Sequence, residues 1–221
     1  MSIAEKLLRA KEDLDMVYEK GKAAGKQAFS NAYQDFGNRR NYFSAYSGIG
    51  WNEETFDPQY GITCADPNAS NPANSTNAAR IFYGSRITEI KVPITVIGIP
   101  MDSVFTRCSA LRYVERLELE GVTKFTTLFN GCTNLEHIIF AGSLDISLNI
   151  SATEVLDKES IESIVGVLSA DASGMTLTLS QTAVMNAFGS IDDTVDGTED
   201  GEKTEWKALK DTKPNWTFVL S

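Results

Sequence analysis

A phrase repeats in the middle of this chain. Phe105-x-x-Cys108-x-x-Leu111-x-x-Val114 returns 24 residues later as Phe129-x-x-Cys132-x-x-Leu135-x-x-Ile138, and Phe82-x-x-Ser85-x-Ile87-x-x-Ile90, one residue shorter, precedes it by 23. A period in this range means that each copy is a small supersecondary unit unable to bury its apolar face alone, so the copies must stack. In each, a short turn carrying phenylalanine leads into a strand. The residues expected to point inward are Ile87, Ile90 and Val92, then Val114, Leu117 and Leu119, then Ile138 and Phe140. Leu144, Ile146, Leu148 and Ile150 alternate strictly and predict one more strand or rung. Cys108 and Cys132 hold equivalent positions, which stacking brings to neighbouring rungs about 5 Å apart. A ladder of buried small hydrophobes is the expectation there, with a disulfide as the alternative.

Before the repeats, apolar or small residues at Ile3, Leu7, Ala10, Leu14, Val17, Gly21, Ala24 and Ala28 alternate in steps of four and three, a heptad seam. Ser2 with Glu5 forms a reciprocal N-terminal cap, and no proline occurs before Pro58, so a helix over 1–36 is predicted. The seam suits self-association as a dimer or trimer; the alternative is a single amphipathic helix packed on its own domain. Residues 37–80 are rich in aromatics and turn formers and read as a packed, irregular cap that includes an exposed loop. After the repeats, Ile161, Ile164, Val165 and Leu168 recur at helical spacing, Met175, Leu177 and Leu179 alternate as a strand, and Ser180 caps a second helix. A third, short helix surrounds Trp206 and Leu209, and Trp216, Phe218 and Leu220 form a last strand beside 175–179. Residues 192–203 place Asp192, Thr194, Asp196, Gly197 and Asp200 at calcium-loop positions, but Lys203 stands where a bidentate glutamate is required, so an acidic insertion is expected and no metal.

The chemical inventory is narrow. There is one histidine, His137, and none of the three cysteines falls in a Cys-x-x-Cys pair; no metalloprotease, nucleophile-elbow or phosphate-loop spacing occurs. No catalytic residue and no cofactor are therefore predicted, and the chain is expected not to be an enzyme. Thirty acidic against 20 basic residues leave a net charge of −10, which disfavours nucleic acid and anionic membranes as partners. The longest apolar stretch, Ile87 to Met101, is broken by Glu89, Lys91 and two prolines, so no membrane insertion is expected. The start, Met1-Ser2-Ile3-Ala4-Glu5-Lys6, has no signal-peptide pattern.

The Phe-x-x-Cys-x-x-Leu phrase resembles the cysteine-and-phenylalanine, or treponeme-type, leucine-rich repeat of bacterial surface and adhesion proteins. With the heptad helix, Gly50-Trp51-Asn52, Pro58-x-Tyr60, Leu156-Asp157-Lys158-Glu159-Ser160-Ile161 and Lys213-Pro214-Asn215-Trp216-Thr217, nearly the whole chain resembles small leucine-rich-repeat proteins encoded among the tail genes of phages and prophages of gut bacteria. The expected fold is α+β: a short leucine-rich-repeat solenoid with a long, coiled-coil-like N-terminal helix and an α/β C-terminal cap. Its expected parts are 1–36 for oligomerisation or docking, 37–80 as an aromatic-rich cap and loop, 81–152 as the repeats and 153–221 as the C-terminal cap. The resemblance implies a virion protein, tail- or baseplate-associated, made in the bacterial cytoplasm and presenting its repeats to a host-surface glycan or protein or to other virion proteins. The alternatives are a purely structural docking or decoration protein and a bacterial adhesin-like surface protein. Outward strand positions supply the candidate ligand-facing residues, Arg112, Tyr113, Glu118, Glu136 and His137, with Glu89 and Lys91 beside them.

Overall fold

The computed structural model describes residues 81–192 and 203–221, together with the backbone of 55–56 and 62–65. Strands β1 (Thr55–Phe56) and β2 (Ile62–Ala65) lie end to end along β3 (Glu89–Ile97). There follow β4 (Met101–Asp102), β5 (Tyr113–Glu120), β6 (Phe125–Thr126), β7 (His137–Gly142) and β8 (Leu148–Asn149). The chain then forms helix α1 (Lys158–Gly166), β9 (Met175–Leu179), α2 (Gln181–Phe188), α3 (Glu205–Asp211) and β10 (Trp216–Leu220). Every pairing between these strands is parallel: β3, β5 and β7 succeed one another across one sheet, β4 pairs with β6, and β9 lies between β8 and β10.

Parallel stacking at the repeat period places like on like. The rings of Phe82, Phe105 and Phe129 stack with almost parallel planes and centroids 5.6 and 5.1 Å apart. Beside them runs a second ladder. Cys108 Sγ donates to Phe82 O and Cys132 Sγ to Phe105 O, both at 2.8 Å, while Ser85 Oγ lies 3.6 Å from Cys108 Sγ. Both thiols are free and buried, and burial pushes their pKa values up, so they stand as protonated donors and inert packing. All the residues expected to point inward from the three strands are buried.

The sheet is not a simple translation of one rung. Ile90 pairs with Val114 and Val114 with Ile138, a step of 24 residues, but Ile94 pairs with Leu117 and Leu117 with Phe140, a step of 23. Each strand therefore carries one residue more than its successor between these two points, a bulge. Pro93 sits at the bulge of β3, opposite the gap between β1 and β2, where a missing backbone N–H breaks no ladder with them.

These observations correct the expected fold. The described residues form three short helices, the longest nine residues, and small parallel sheets; they contain no long helix and no closed leucine-rich-repeat solenoid. The physical reason lies at β7. Ser160 Oγ and Ser163 Oγ of α1 accept from the amides of Ile138 (2.9 Å) and Phe140 (3.1 Å), so a helix satisfies the edge where another strand would continue the stack. The strand expected over 144–150 shortens accordingly: Leu144 bridges only to Leu168, and Leu148–Asn149 joins β9 in the second sheet. The predicted helix of 1–36, its seam from Ile3 to Ala28, most of the 37–80 cap and residues 193–202 of the acidic insertion lie outside the described residues.

The second sheet fastens to the back of α1. Lys213 Nζ donates to the carbonyls of Gly166 and Leu168, placing a cation at the helix C-terminus, and Trp216 Nε1 donates to Ser169 O at 2.9 Å. At the other end Asp157 caps α1 by accepting from Ser160 N. That aspartate is where the fold meets the candidate site.

Candidate functional site

The strands β3, β5 and β7 enter their sheet in a common way. Thr88 O accepts from Arg112 N at 2.8 Å, Arg112 O from Glu136 N at 2.9 Å, and Glu136 O from Asp157 N at 2.8 Å. This backbone row carries the side chains of each position onto its neighbour. Arg112 donates through Nε (3.0 Å) and Nη2 (2.7 Å) to Glu136 Oε1, and the rings of Tyr113 and His137 stack with centroids 4.9 Å apart and planes 8° from parallel. His137 Nδ1 lies 2.7 Å from Asp157 Oδ2, and Tyr113 OH donates to Glu115 Oε2 at 2.7 Å. With Thr88 and Glu89, four of these side chains line a recess of about 350 Å³: Arg112, Tyr113, Glu136 and His137.

Four of the five ligand-facing residues chosen from the sequence thus converge. Glu118 does not. It sits farther along β5, accepting from Thr95 Oγ1 at 2.8 Å and pairing with Arg116 at 3.0 Å. Sequence reasoning missed Asp157 as a member of the site. The signal available was a helix cap, Asp157 three residues before Ser160, but nothing in the repeat period links it to His137.

The electrostatics follow from the contacts. The hydrogen bond to Glu115, then burial and the charges of Glu115, Glu159 and Glu89, raise the Tyr113 pKa and keep its hydroxyl protonated. For Asp157, burial pushes the carboxyl up, but hydrogen bonds from Ser160 and His137 outweigh it and hold the pKa below the ordinary carboxylate value. The ion pair of Arg112 with Glu136 is well exposed and contributes at most about 1 kcal/mol to stability. Its effect is to fix the guanidinium plane. Among the described residues no hydrogen bond is made by Arg112 Nη1 or His137 Nε2, and both residues line the recess.

A folded-state pKa below the unfolded one gives Asp157 a stabilising contribution that is present above about pH 4 and lost as pH falls through the folded value. Asp157→Asn keeps a good helix cap and removes the charge. The variant is expected to be less stable by under about 1 kcal/mol near neutral pH, since the side chain is 44% exposed and screened. In urea titrations the gap should narrow as pH falls below about 4; a gap independent of pH would show that the charge contributes nothing.

Among the described residues no group of three or more His, Cys, Asp or Glu side chains is placed to hold a metal ion, and no helix is long and apolar enough to cross a membrane. Comparison of the chain with protein-family models, with curated proteins and with solved structures finds no match.

Proposed function

We propose that this chain is a non-enzymatic phage virion protein, tail- or baseplate-associated, that binds a host-surface glycan or protein through the recess of Arg112, Tyr113, Glu136 and His137. The virion assignment rests on the sequence resemblance. The binding assignment rests on one observation: the recess is lined by polar side chains already held in place by one another, Arg112 by Glu136 and His137 by Asp157 and Tyr113. Side chains fixed before binding lose little rotamer entropy when a ligand arrives, a saving of about 0.5–1.5 kcal/mol for each. Oligomerisation through the seam of Ile3 to Ala28 would present several such recesses together and convert weak contacts into avidity.

The full chain on arrays of bacterial surface glycans and envelope proteins tests this reading. Binding to a subset of features is expected, with at least a tenfold loss on Arg112→Ala and on His137→Ala and little change on Glu118→Ala. Equal binding by all four proteins, or none by the wild type, would overturn it.

A further inference from the structure

A different surface carries a second inference. Strand β10 is outermost in its sheet: it pairs with β9 on one side, and no strand among the described residues pairs with the other. Protein sheets protect such edges with charges, prolines or bulges. The sequence of β10, Trp-Thr-Phe-Val-Leu, has no charge and no proline, and its register with β9 runs unbroken through all five residues.

The outer face beside this edge is also uncharged. Thr217 and Val219 are exposed, in register with Thr176 and Thr178 of β9, and Asn149 of β8 follows in the same row. Val219 is 40% exposed, one of four large hydrophobics so placed among the described residues. The outer face of β5, by contrast, exposes Glu115, Arg116 and Glu120. On the inner side of β10, Trp216 and Phe218 line a recess of about 410 Å³ with Lys210, Asp211, Lys213 and Pro214.

We propose that β10 pairs antiparallel with β10 of a second copy of this chain, joining two three-stranded sheets across a two-fold axis. The sequence is self-complementary in that arrangement. Centred on Phe218, it sets Thr217 opposite Val219 of the second copy on the outer face and Trp216 opposite Leu220 on the inner face, pairs of the kind that stabilise sheets. The inner recess beside Trp216 and Phe218 gives the second copy's Leu220 room to enter. Charge selects the location: copies that each carry −10 repel over most of their surfaces, and this strip sets no like charges opposite each other. The pairing is independent of the recess at Arg112 and of the seam in 1–36.

The test is the solution mass of the full chain and of Val219→Lys by light scattering. Val219 is exposed, so the lysine should leave the circular dichroism and melting temperature nearly unchanged. A twofold fall in mass from wild type to variant is the expected result. The same mass in both overturns the pairing, whether the shared state is a monomer or an oligomer held elsewhere. Hydrogen exchange of the wild type alone gives a second readout: the amides of Phe218 and Leu220, which alternate along β10 with the residues that face β9, should exchange faster on dilution below the dissociation range, and rates independent of concentration would also overturn the proposal.

Discussion

Gly142→Ala should destabilise this protein by about 4 kcal/mol, a large share of the roughly 5–15 kcal/mol that holds a typical domain together. A methyl group at this position would stand 2.0 Å from the carbonyl oxygen of Leu119 and 2.9 Å from its carbonyl carbon. Both are backbone atoms of the neighbouring strand, so no side-chain rotation relieves the overlap. The strands would have to part where Leu119 pairs with Gly142, and the bond from Ser143 N to Leu119 O (3.2 Å) would be strained with them. The backbone at Gly142 also has φ of +94°, a conformation that costs an L-residue about 1–2 kcal/mol in addition. Gly121 separates the two effects. Its φ is +60° and a methyl there meets nothing within 4 Å, so Gly121→Ala should cost only the backbone term, about 1 kcal/mol. Urea midpoints for the two variants decide the matter. Equal losses would mean that the strands yield easily at Gly142 and that the close approach is not rigid.

The core was legible in the sequence because stacking repeats the same environment. Phe82, Phe105 and Phe129 meet one another, as do Cys108 and Cys132 with the phenylalanine carbonyls, since equivalent positions in parallel rungs become neighbours. What was not legible is where stacking stops. Alternation at Leu144, Ile146, Leu148 and Ile150 shows which side of a strand faces inward, but not which strand lies next to it, and β8 went to a different sheet. The seal on β7 uses Ser160 and Ser163, polar residues on a helix whose pairing with Ile138 and Phe140 follows no period. The same limit applies to the site. Outward positions such as Glu118 and Glu136 look alike in sequence, and only the backbone row from Thr88 through Arg112 and Glu136 to Asp157 separates those that converge from the one that does not. The long N-terminal helix was expected from a heptad pattern, whereas the helices that are described run to nine residues at most.

The middle ring of the aromatic stack should be the most costly side chain of the three repeats to remove. Phe105 is fully buried and lies between Phe82 and Phe129, its plane within 4° of both. Phe105→Ala loses the transfer energy of the ring, leaves a cavity in a closely packed core, and breaks two ring contacts at once; the expected cost is about 4 kcal/mol. Phe105→Leu keeps most of the apolar volume but not the stacking, and should cost about 1–2 kcal/mol. The difference between the variants measures how much of the stack is space-filling and how much is ring geometry. Phe105 O accepts from Cys132 Sγ, so the backbone at the same residue also supports the next rung, and the alanine variant should lower hydrogen-exchange protection in β7 as well as in β5. Binding through the recess of Arg112 and His137, measured well below the melting temperature, should be unchanged, because Phe105 is not among the residues that line it. A loss of protection confined to β5 would mean that the rungs hold independently, and that the stacked rings fill space without coupling one repeat to the next.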